Sequence, residues 1–304
     1  MRKRSEIRDQ RSVGSVRSAG SLPIANATGI SVQPLADAVA QLGAKTPIAV
    51  ALNSQQWSAV PAQLRLRAQF SATLEDARVL QTIQDKLNQA IGLQREKVAN
   101  GEAFVDRSSF IGDMRQVMAE AGLGTGEGGV TDLQSAKRLG LIYDMQTRQA
   151  QEFARHKFDM APDVLNEWPA QELVRLEERI QPRDWLSRWE QNGGPRLVDG
   201  TRMIALKTNP IWVNISAFGT PWPPFDYDSG MGLVDIDRAE AELLGLIAPE
   251  TNLEPLDEDF NTGVAASVAD LAPDLIQFLE QTFGDKISIA DGLIKWVTQE
   301  GVIT

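Results

Sequence analysis

Apolar residues in the first half of the chain recur at helical spacing. Between residues 71 and 99 they fall three or four positions apart, at Leu80, Ile83, Leu87 and Ile91, opposite a polar face. Residues at this spacing lie on one side of a helix, so the pattern predicts a long amphipathic helix that buries one face.

Two further helices are predicted downstream of the first. An apolar stripe between residues 108 and 121 is followed by Gly122, a residue type that commonly ends helices. Thr131 or Asp132 is expected to cap a third helix running towards Lys157, because both side chains accept hydrogen bonds from free backbone N–H groups.

The second half of the chain carries shorter apolar runs, of a length typical of strands. Residues 173–176, 203–206 and 212–215 together predict a small sheet resting on the preceding helices. Other predicted elements are a strand at 48–52 and helices at 34–42, 162–168, 238–245, 267–282 and 289–299.

These elements predict an α+β fold with a mainly helical N-terminal half, a small-sheet α+β domain and extended terminal arms. The expected parts are a basic, partly extended N-terminal arm (1–60), a helical region (61–165), an α+β domain with a proline- and aromatic-rich loop (166–250), and an acidic helical C-terminal region (251–304).

Composition excludes several kinds of site. The 304 residues include no cysteine and one histidine, His156, so disulfides, thiolate nucleophiles, zinc–cysteine sites and multi-histidine metal sites are ruled out. No apolar run approaches the ~18–20 residues that span a bilayer, and the basic N-terminus lacks the apolar stretch of a secretory signal. We therefore expect no membrane segment and no secretory signal.

Charge is spread unevenly along the chain. Residues 1–20 carry six basic and two acidic side chains, a net of +4, whereas residues 235–304 carry fifteen acidic and three basic, a net of −12. This asymmetry suggests two different partners or head-to-tail contact between copies, and the alternative is a solvated acidic surface with a basic tail. The basic side chains that could contact nucleic-acid phosphates are Arg2, Lys3, Arg4, Arg8 and Arg11.

The run from Gly200 to Gly232 is dense in aromatic residues and prolines, so it either packs onto its own domain or docks against a neighbouring subunit. Just upstream, two tryptophans four positions apart share one face of a short predicted helix. The resulting candidate interaction residues are Trp185, Trp189, Trp212, Phe218, Trp222, Phe225 and Tyr227.

Several stretches of this region carry a family resemblance. They are WPAQE (168–172), PRDW (182–185), RMIALKTNPIW (202–212) and FGTPWPPFDYDSGMG (218–232). Through them residues 168–247 resemble the head-morphogenesis, or minor head protein, family of tailed bacteriophages and prophages. The resemblance extends more faintly back to about Phe70 and leaves out residues 1–60 and 251–304.

One departure from the family pattern limits what can be carried over. The better-known branch closes its domain with a proline-rich turn that holds a histidine and a cysteine. Here the equivalent turn, Trp222 to Asp226, contains neither residue. A metal or thiol role for that turn therefore does not transfer to this chain.

The resemblance implies a structural, non-enzymatic virion protein that acts in head assembly near the portal or inner shell, without a cofactor. It implies that the partners are other head proteins, portal or capsid, and that the chain forms homo-oligomers in the particle. It also implies no membrane association and, at most, weak contact with packaged DNA. The implied location is the virion head, assembled in the cytoplasm of the bacterial host. The alternatives are a high-copy capsid or decoration protein, and a packaged ADP-ribosyltransferase-like enzyme using Glu240-Ala241-Glu242.

Two further motifs invite a chemical interpretation. Asp226 and Asp228, followed by Gly230, resemble the start of a calcium loop, but the third acidic position and the bidentate glutamate are missing. A turn stabilised by local side-chain hydrogen bonds is the preferred interpretation. The glycine-rich run 124–129 follows no predicted strand, so we interpret it as a connector. No catalytic, cofactor-binding or metal-binding residue is predicted.

Overall fold

The structure is a computed structural model that describes residues 33–99, 107–124, 128–256, 266–268, 271, 273–298 and 301–302. The described residues, from Gln33 onward, form one compact unit. The helices are α1 (Gln33–Gly43), α2 (Ser54–Ser58), α3 (Ala62–Leu66), α4 (Ala77–Ala99), α5 (Arg107–Glu120), α6 (Ala136–Asp159), α7 (Pro162–Glu167), α8 (Trp185–Gln191), α9 (Ile211–Asn214), α10 (Arg238–Leu243) and α11 (Pro273–Phe283). The strands are β1 (Thr46–Pro47), β2 (Ala68–Gln69), β3 (Ala170–Arg175), β4 (Met203–Leu206), β5 (Met231–Ile236), β6 (Ala266–Ser267), β7 (Ile287–Ala290), β8 (Leu293–Thr298) and β9 (Gly301–Val302).

Helices α1, α4, α5 and α6 build the largest core. The apolar stripe of α4 is fully buried, as its helical spacing predicts, and packs with Phe110 and Met114 of α5 and Leu139 of α6. The side chain of Gln84 in α4 ties α1 to this core, because its Nε2 donates hydrogen bonds to the carbonyls of Leu42, Gly43 and Lys45. Those carbonyls lie at the end of α1, where no helical N–H can reach them.

A three-stranded antiparallel sheet of order β4-β3-β5 organises the next part of the chain. Ala170 pairs with Leu206 of β4 and with Ile236 of β5. One face of the sheet packs against α8 and α9, and the opposite face packs against Ala241 of α10. Both faces are covered, so this sheet forms the centre of its own small two-sided core.

A third core joins segments that lie far apart in sequence. β1 pairs in parallel with β2, and the apolar residues around them share a cluster with α11 and the hairpin β7–β8. β6 and β9 both pair with β8. Trp57 stacks on Phe70 with ring centroids 4.0 Å apart and meets Phe283 edge-on at 6.3 Å. Residues 48–70 thus complete a core with residues 273–294.

The predicted α+β class is confirmed, with helices in the first half followed by a small sheet. The extended arms are not found in the described parts of the termini. Residues 33–60 contain α1 and α2, and residues 273–298 pack against that same region. The two terminal segments are too poor in apolar residues to form cores separately, but they bury each other's apolar side chains.

Three predicted elements are wrong, two of them in the second half of the chain. Residues 289–299 were predicted as a helix, but they belong to the hairpin β7–β8, whose turn is Asp291-Gly292 with both residues at positive φ. Residues 212–215 were predicted as a strand, but they lie at α9. Asn209 Oδ1 accepts the N–H of Ile211 there and Pro210 precedes the first turn, which favours a helix start.

Element boundaries also shift at the N-terminal ends of the long helices. The third predicted helix begins at Ala136, because Ser135 and not Thr131 or Asp132 caps it by accepting the N–H of Arg138. Asp132 instead accepts the N–H groups of Gln134 and Gly128, which shapes the preceding loop. The predicted strand at 48–52 is irregular chain, although the Ile48 N–H donates to the carbonyl of Gln69 beside β2. In the described part of the chain no helix is long and apolar enough to span a bilayer.

Candidate functional site

Six of the seven candidate interaction aromatics lie inside the protein. Trp185, Trp189, Trp212, Phe218, Trp222 and Phe225 are all buried, whereas Tyr227 is 48 % exposed. The six side chains are packed inside the domain in this structure, and their contact with a partner stays a prediction. The alternative that the segment packs onto its own domain is what the structure shows, because the neighbouring sheet provides an apolar face to cover.

A chain of aromatic contacts fixes this segment beneath the sheet. Trp212 meets Trp189 edge-on with ring centroids 5.3 Å apart, and Phe225 lies 6.2 Å away on a nearly parallel plane. The indole N–H of Trp212 donates to the carbonyl of Leu206, and that of Trp189 donates to the carbonyl of Pro195, both at 2.8 Å. Buried indoles with satisfied N–H groups stabilise a fold without a polar penalty.

The proline-rich turn docks on helix α6 through Trp222. Its ring lies 5.2 Å from the rings of both Phe153 and His156, which face it one turn apart along the helix. Within the loop, the carbonyl of Trp222 accepts the hydroxyl of Thr220, and the peptide bond between Pro223 and Pro224 is cis. The loop therefore connects the sheet domain to the helical core.

The two carboxylates that resemble the start of a calcium loop form ion pairs with arginine side chains. Asp226 Oδ2 lies 2.9 Å from Arg188 and 3.2 Å from Arg183, and Asp228 Oδ1 lies 2.8 Å from Arg179. Among the described residues no cluster of three or more His, Cys, Asp or Glu side chains could hold a metal ion. The arrangement shows two carboxylates pairing with cationic side chains.

The turn that follows needs glycine at one position. Gly230 has φ +68°, and a Cβ there would lie 2.5 Å from the carbonyl oxygen of Glu177. The Gly230 carbonyl accepts the N–H groups of Leu176 and Glu177, which fastens the end of β3 to the start of β5. Only glycine combines that backbone conformation with such a close approach.

A buried charge network that the sequence did not reveal lies between α6 and the sheet. Lys207, 1 % exposed, has its Nζ 2.9 Å from Asp235 Oδ1 and 3.4 Å from Asp159 Oδ1. The Nζ and Asp235 Oδ1 pair by charge without the alignment of a hydrogen bond. Arg155 donates to the second Asp235 oxygen at 3.0 Å. Burial raises the pKa of Asp159, and Lys207 opposes that rise.

Glu240 and Glu242, the pair behind the ADP-ribosyltransferase alternative, lie on helix α10. Glu240 Oε1 accepts from Arg202 Nη1 and Glu242 Oε1 accepts from Arg238 Nε, both at 3.0 Å. Each carboxylate therefore has an arginine partner that holds its side chain in place.

A second buried lysine, Lys45, lines a chamber of about 80 Å³ between α3, β2 and α6. Its Nζ donates to Gln146 Oε1 at 2.6 Å. Lys45 lies two positions after the last residue of α1 and directly before β1, and its position in the sequence indicates no role. A lone lysine between a helix and a short strand has no distinguishing pattern, so only the tertiary structure identifies it.

Lys45 should make stability depend on alkaline pH. Burial lowers its pKa from 10.5 to about 7, so between these values the unfolded chain holds more protons on Lys45 than the folded chain. The free energy of unfolding should therefore rise with pH over this range, by roughly 1–3 kcal/mol between pH 7 and 9.5. Urea unfolding at several pH values measures the rise.

The Lys45→Met variant should lose this rise, since it carries no proton at that position. Lys137→Met, at an exposed position of α6, is the matched control and should keep the wild-type slope. If Lys45→Met and wild type gave parallel stability profiles, the buried lysine would not titrate as described.

The basic side chains predicted to contact nucleic acid, Arg2, Lys3, Arg4, Arg8 and Arg11, lie outside the described residues.

A scan against models of known protein families found no match to this chain, and searches of curated proteins and of solved structures found none either.

Proposed function

We propose that this chain is a structural, non-enzymatic protein of a tailed phage or prophage particle, acting in head assembly near the portal or inner shell. The observation that carries the proposal is the position of the resembling residues. The stretches 202–212 and 218–232 supply β4, α9, the start of β5 and most of the aromatic cluster beneath the sheet. The residues that carry the resemblance thus build the framework of this domain, which suits a protein that maintains contacts between subunits.

Exposed features of the same domain support contact with other subunits. Leu176, Ile180, Val234 and Leu243 are large apolar side chains with exposed surface. In the described part of the chain β5 pairs only with β3, so its outer edge is open to another strand. Open strand edges and exposed apolar side chains are common places of subunit contact. The proposed partners are portal or capsid subunits and further copies of this chain.

Purified heads provide the test of this role. Mass spectrometry of DNA-filled heads from the phage or induced prophage that encodes this chain should detect it, and a cryo-electron microscopy map should place it against portal or capsid. Its absence from purified heads, or its presence in tails alone, would contradict the proposal. Calorimetry with NAD serves as a separate check, since specific NAD binding would favour the packaged-enzyme alternative.

A further inference from the structure

The chamber beside Lys45 combines cationic, amide and aromatic side chains in a small volume. We name it the Lys45 chamber. It holds about 80 Å³, and its lining includes Lys45, Arg65, Gln146, Trp57, Phe70 and Tyr227. Such a mixture, with an apolar wall and a few convergent polar groups, is typical of sites for small organic ligands.

Neither cation of this chamber has an acidic partner in the described part of the chain. The Nζ of Lys45, a residue 4 % exposed, has one hydrogen bond, to the neutral amide oxygen of Gln146. Arg65 uses its Nε to donate to the carbonyl of Val60, and its guanidinium forms no ion pair with the described carboxylates. Lys45 is buried and Arg65 is partly exposed, and neither has a carboxylate partner among the described residues, so the two side chains together favour an anionic group from outside.

An apolar cleft of about 480 Å³ adjoins the Lys45 chamber, and the two share Trp57, Phe70, Met145, Gln146 and Tyr227. Trp57 and Phe70, whose rings are stacked on each other, line both spaces. This cleft offers a ligand body an aromatic surface while its charged end lies in the chamber.

The guanidinium of Arg138, which also lines this cleft, already has hydrogen-bond partners within the protein. It donates to Ser71 Oγ and to the carbonyls of Ala72, Val130 and Thr131. Its guanidinium therefore holds the cleft walls together, and the unpaired positive charge is concentrated at Lys45 and Arg65.

We propose that the Lys45 chamber and its adjoining cleft bind a small organic carboxylate that has an aromatic or other apolar body. The carboxylate lies at Lys45 and Arg65, and the body packs on Trp57 and Phe70. A bound carboxylate favours the protonated form of the buried Lys45 amine, and the charge-assisted hydrogen bond that results is stronger than one between neutral groups. This inference is independent of the role in head assembly, and either can fail without the other.

Calorimetry and ligand-observed NMR on the full chain test the proposal with benzoate and 4-phenylbutanoate as probes. Benzamide, an uncharged isostere of benzoate, and inorganic sulfate are the comparison ligands. We expect the carboxylates to bind at least about tenfold more tightly than benzamide, because the amide cannot pair with the lysine. Lys45→Met should weaken carboxylate binding by a similar factor of about ten or more. Lys137→Met, at an exposed lysine, should bind like wild type.

Each contrary result overturns the proposal. Failure of both carboxylates to bind, equal binding of benzamide and benzoate, or unchanged binding by Lys45→Met would each do so. Sulfate binding as tightly as benzoate would show a site for simple anions and would also refute the role of the apolar body. If Lys45→Met did not fold, Arg65→Gln and the wild-type comparison of benzoate with benzamide would decide the question.

Discussion

Replacing Trp212 by alanine should lower the free energy of unfolding by about 3–5 kcal/mol, among the largest effects of any single truncation in this chain. The side chain is completely buried between Trp189 and Phe225, and its indole N–H is bonded to the carbonyl of Leu206. Truncation removes those ring contacts and the indole hydrogen bond and leaves a cavity, while the Leu206 carbonyl keeps the N–H of Asn209 as a donor. Urea unfolding followed by circular dichroism measures the loss.

Trp168 provides the matched control, since it is a tryptophan of the same domain with 38 % of its surface exposed. Trp168→Ala should cost roughly 1 kcal/mol or less. If the two variants lost similar stability, the aromatic cluster would not be the support of this domain. Tyr227→Ala separates stability from assembly, because the exposed Tyr227 can be removed with little effect on the fold while any contact it makes with a partner is lost.

The helical half of the fold could be predicted from sequence because its signal is repeated many times. Leu80, Ile83, Leu87 and Ile91 recur at helical spacing, and all four lie in the core that this spacing predicts. An apolar stripe of that length predicts a helix even where single positions depart from the pattern. The ends of the helices were less accurate, because a cap depends on a single side chain, such as Ser135, among several polar candidates.

The C-terminal hairpin was missed although a local signal was present. Asp291-Gly292 lies between Ile289 and Ile294, and a two-residue Asp-Gly loop flanked by apolar residues is a strong hairpin signal. The short apolar run was predicted as a helix because the periodicity of apolar residues separates strands from helices poorly at that length. The pairing of this hairpin with residues 48–70 is a long-range contact that no local pattern encodes.

The candidate site shows a different limit of sequence reasoning. The richness in aromatics and prolines predicts that residues 200–232 pack onto their own domain or dock against a neighbouring subunit, but it does not show which groups cover them. Burial of Trp222 depends on Phe153 and His156, which lie more than sixty positions earlier in the chain. The buried lysines had no signal at all, because their role follows from the groups that the fold places around them.

Replacing Lys207 by methionine should destabilise the protein by about 3–5 kcal/mol at neutral pH. Methionine keeps much of the side-chain volume, so the loss comes mainly from charge. Lys207 is the buried cation between Asp159 and Asp235, and without it two carboxylates face each other with Arg155 as the remaining partner. Removing one partner of a buried ion pair leaves an uncompensated charge in a poorly solvated place.

An exposed ion pair gives the control. Lys86 lies 2.6 Å from Asp113, and both side chains are in contact with solvent, so Lys86→Met should cost no more than about 1 kcal/mol. The double variant Lys207→Met with Asp235→Asn should regain part of the loss, since it removes one of the two acids that would otherwise share Arg155 as their partner.

The pH dependence separates charge from packing in the Lys207→Met variant. Burial already raises the pKa of Asp159 in the wild-type protein, and loss of Lys207 should raise it further. An acid whose pKa is higher in the folded than in the unfolded state stabilises the fold when protonated, and this contribution is lost as pH rises through the folded pKa. The loss in free energy of unfolding of the variant relative to wild type should therefore be largest at neutral pH. It should shrink as the pH falls into the range where carboxylates become protonated. A deficit that stayed constant from neutral to acidic pH would mean that Lys207 acts through packing, and the charge network would then contribute little to the junction between α6 and the sheet.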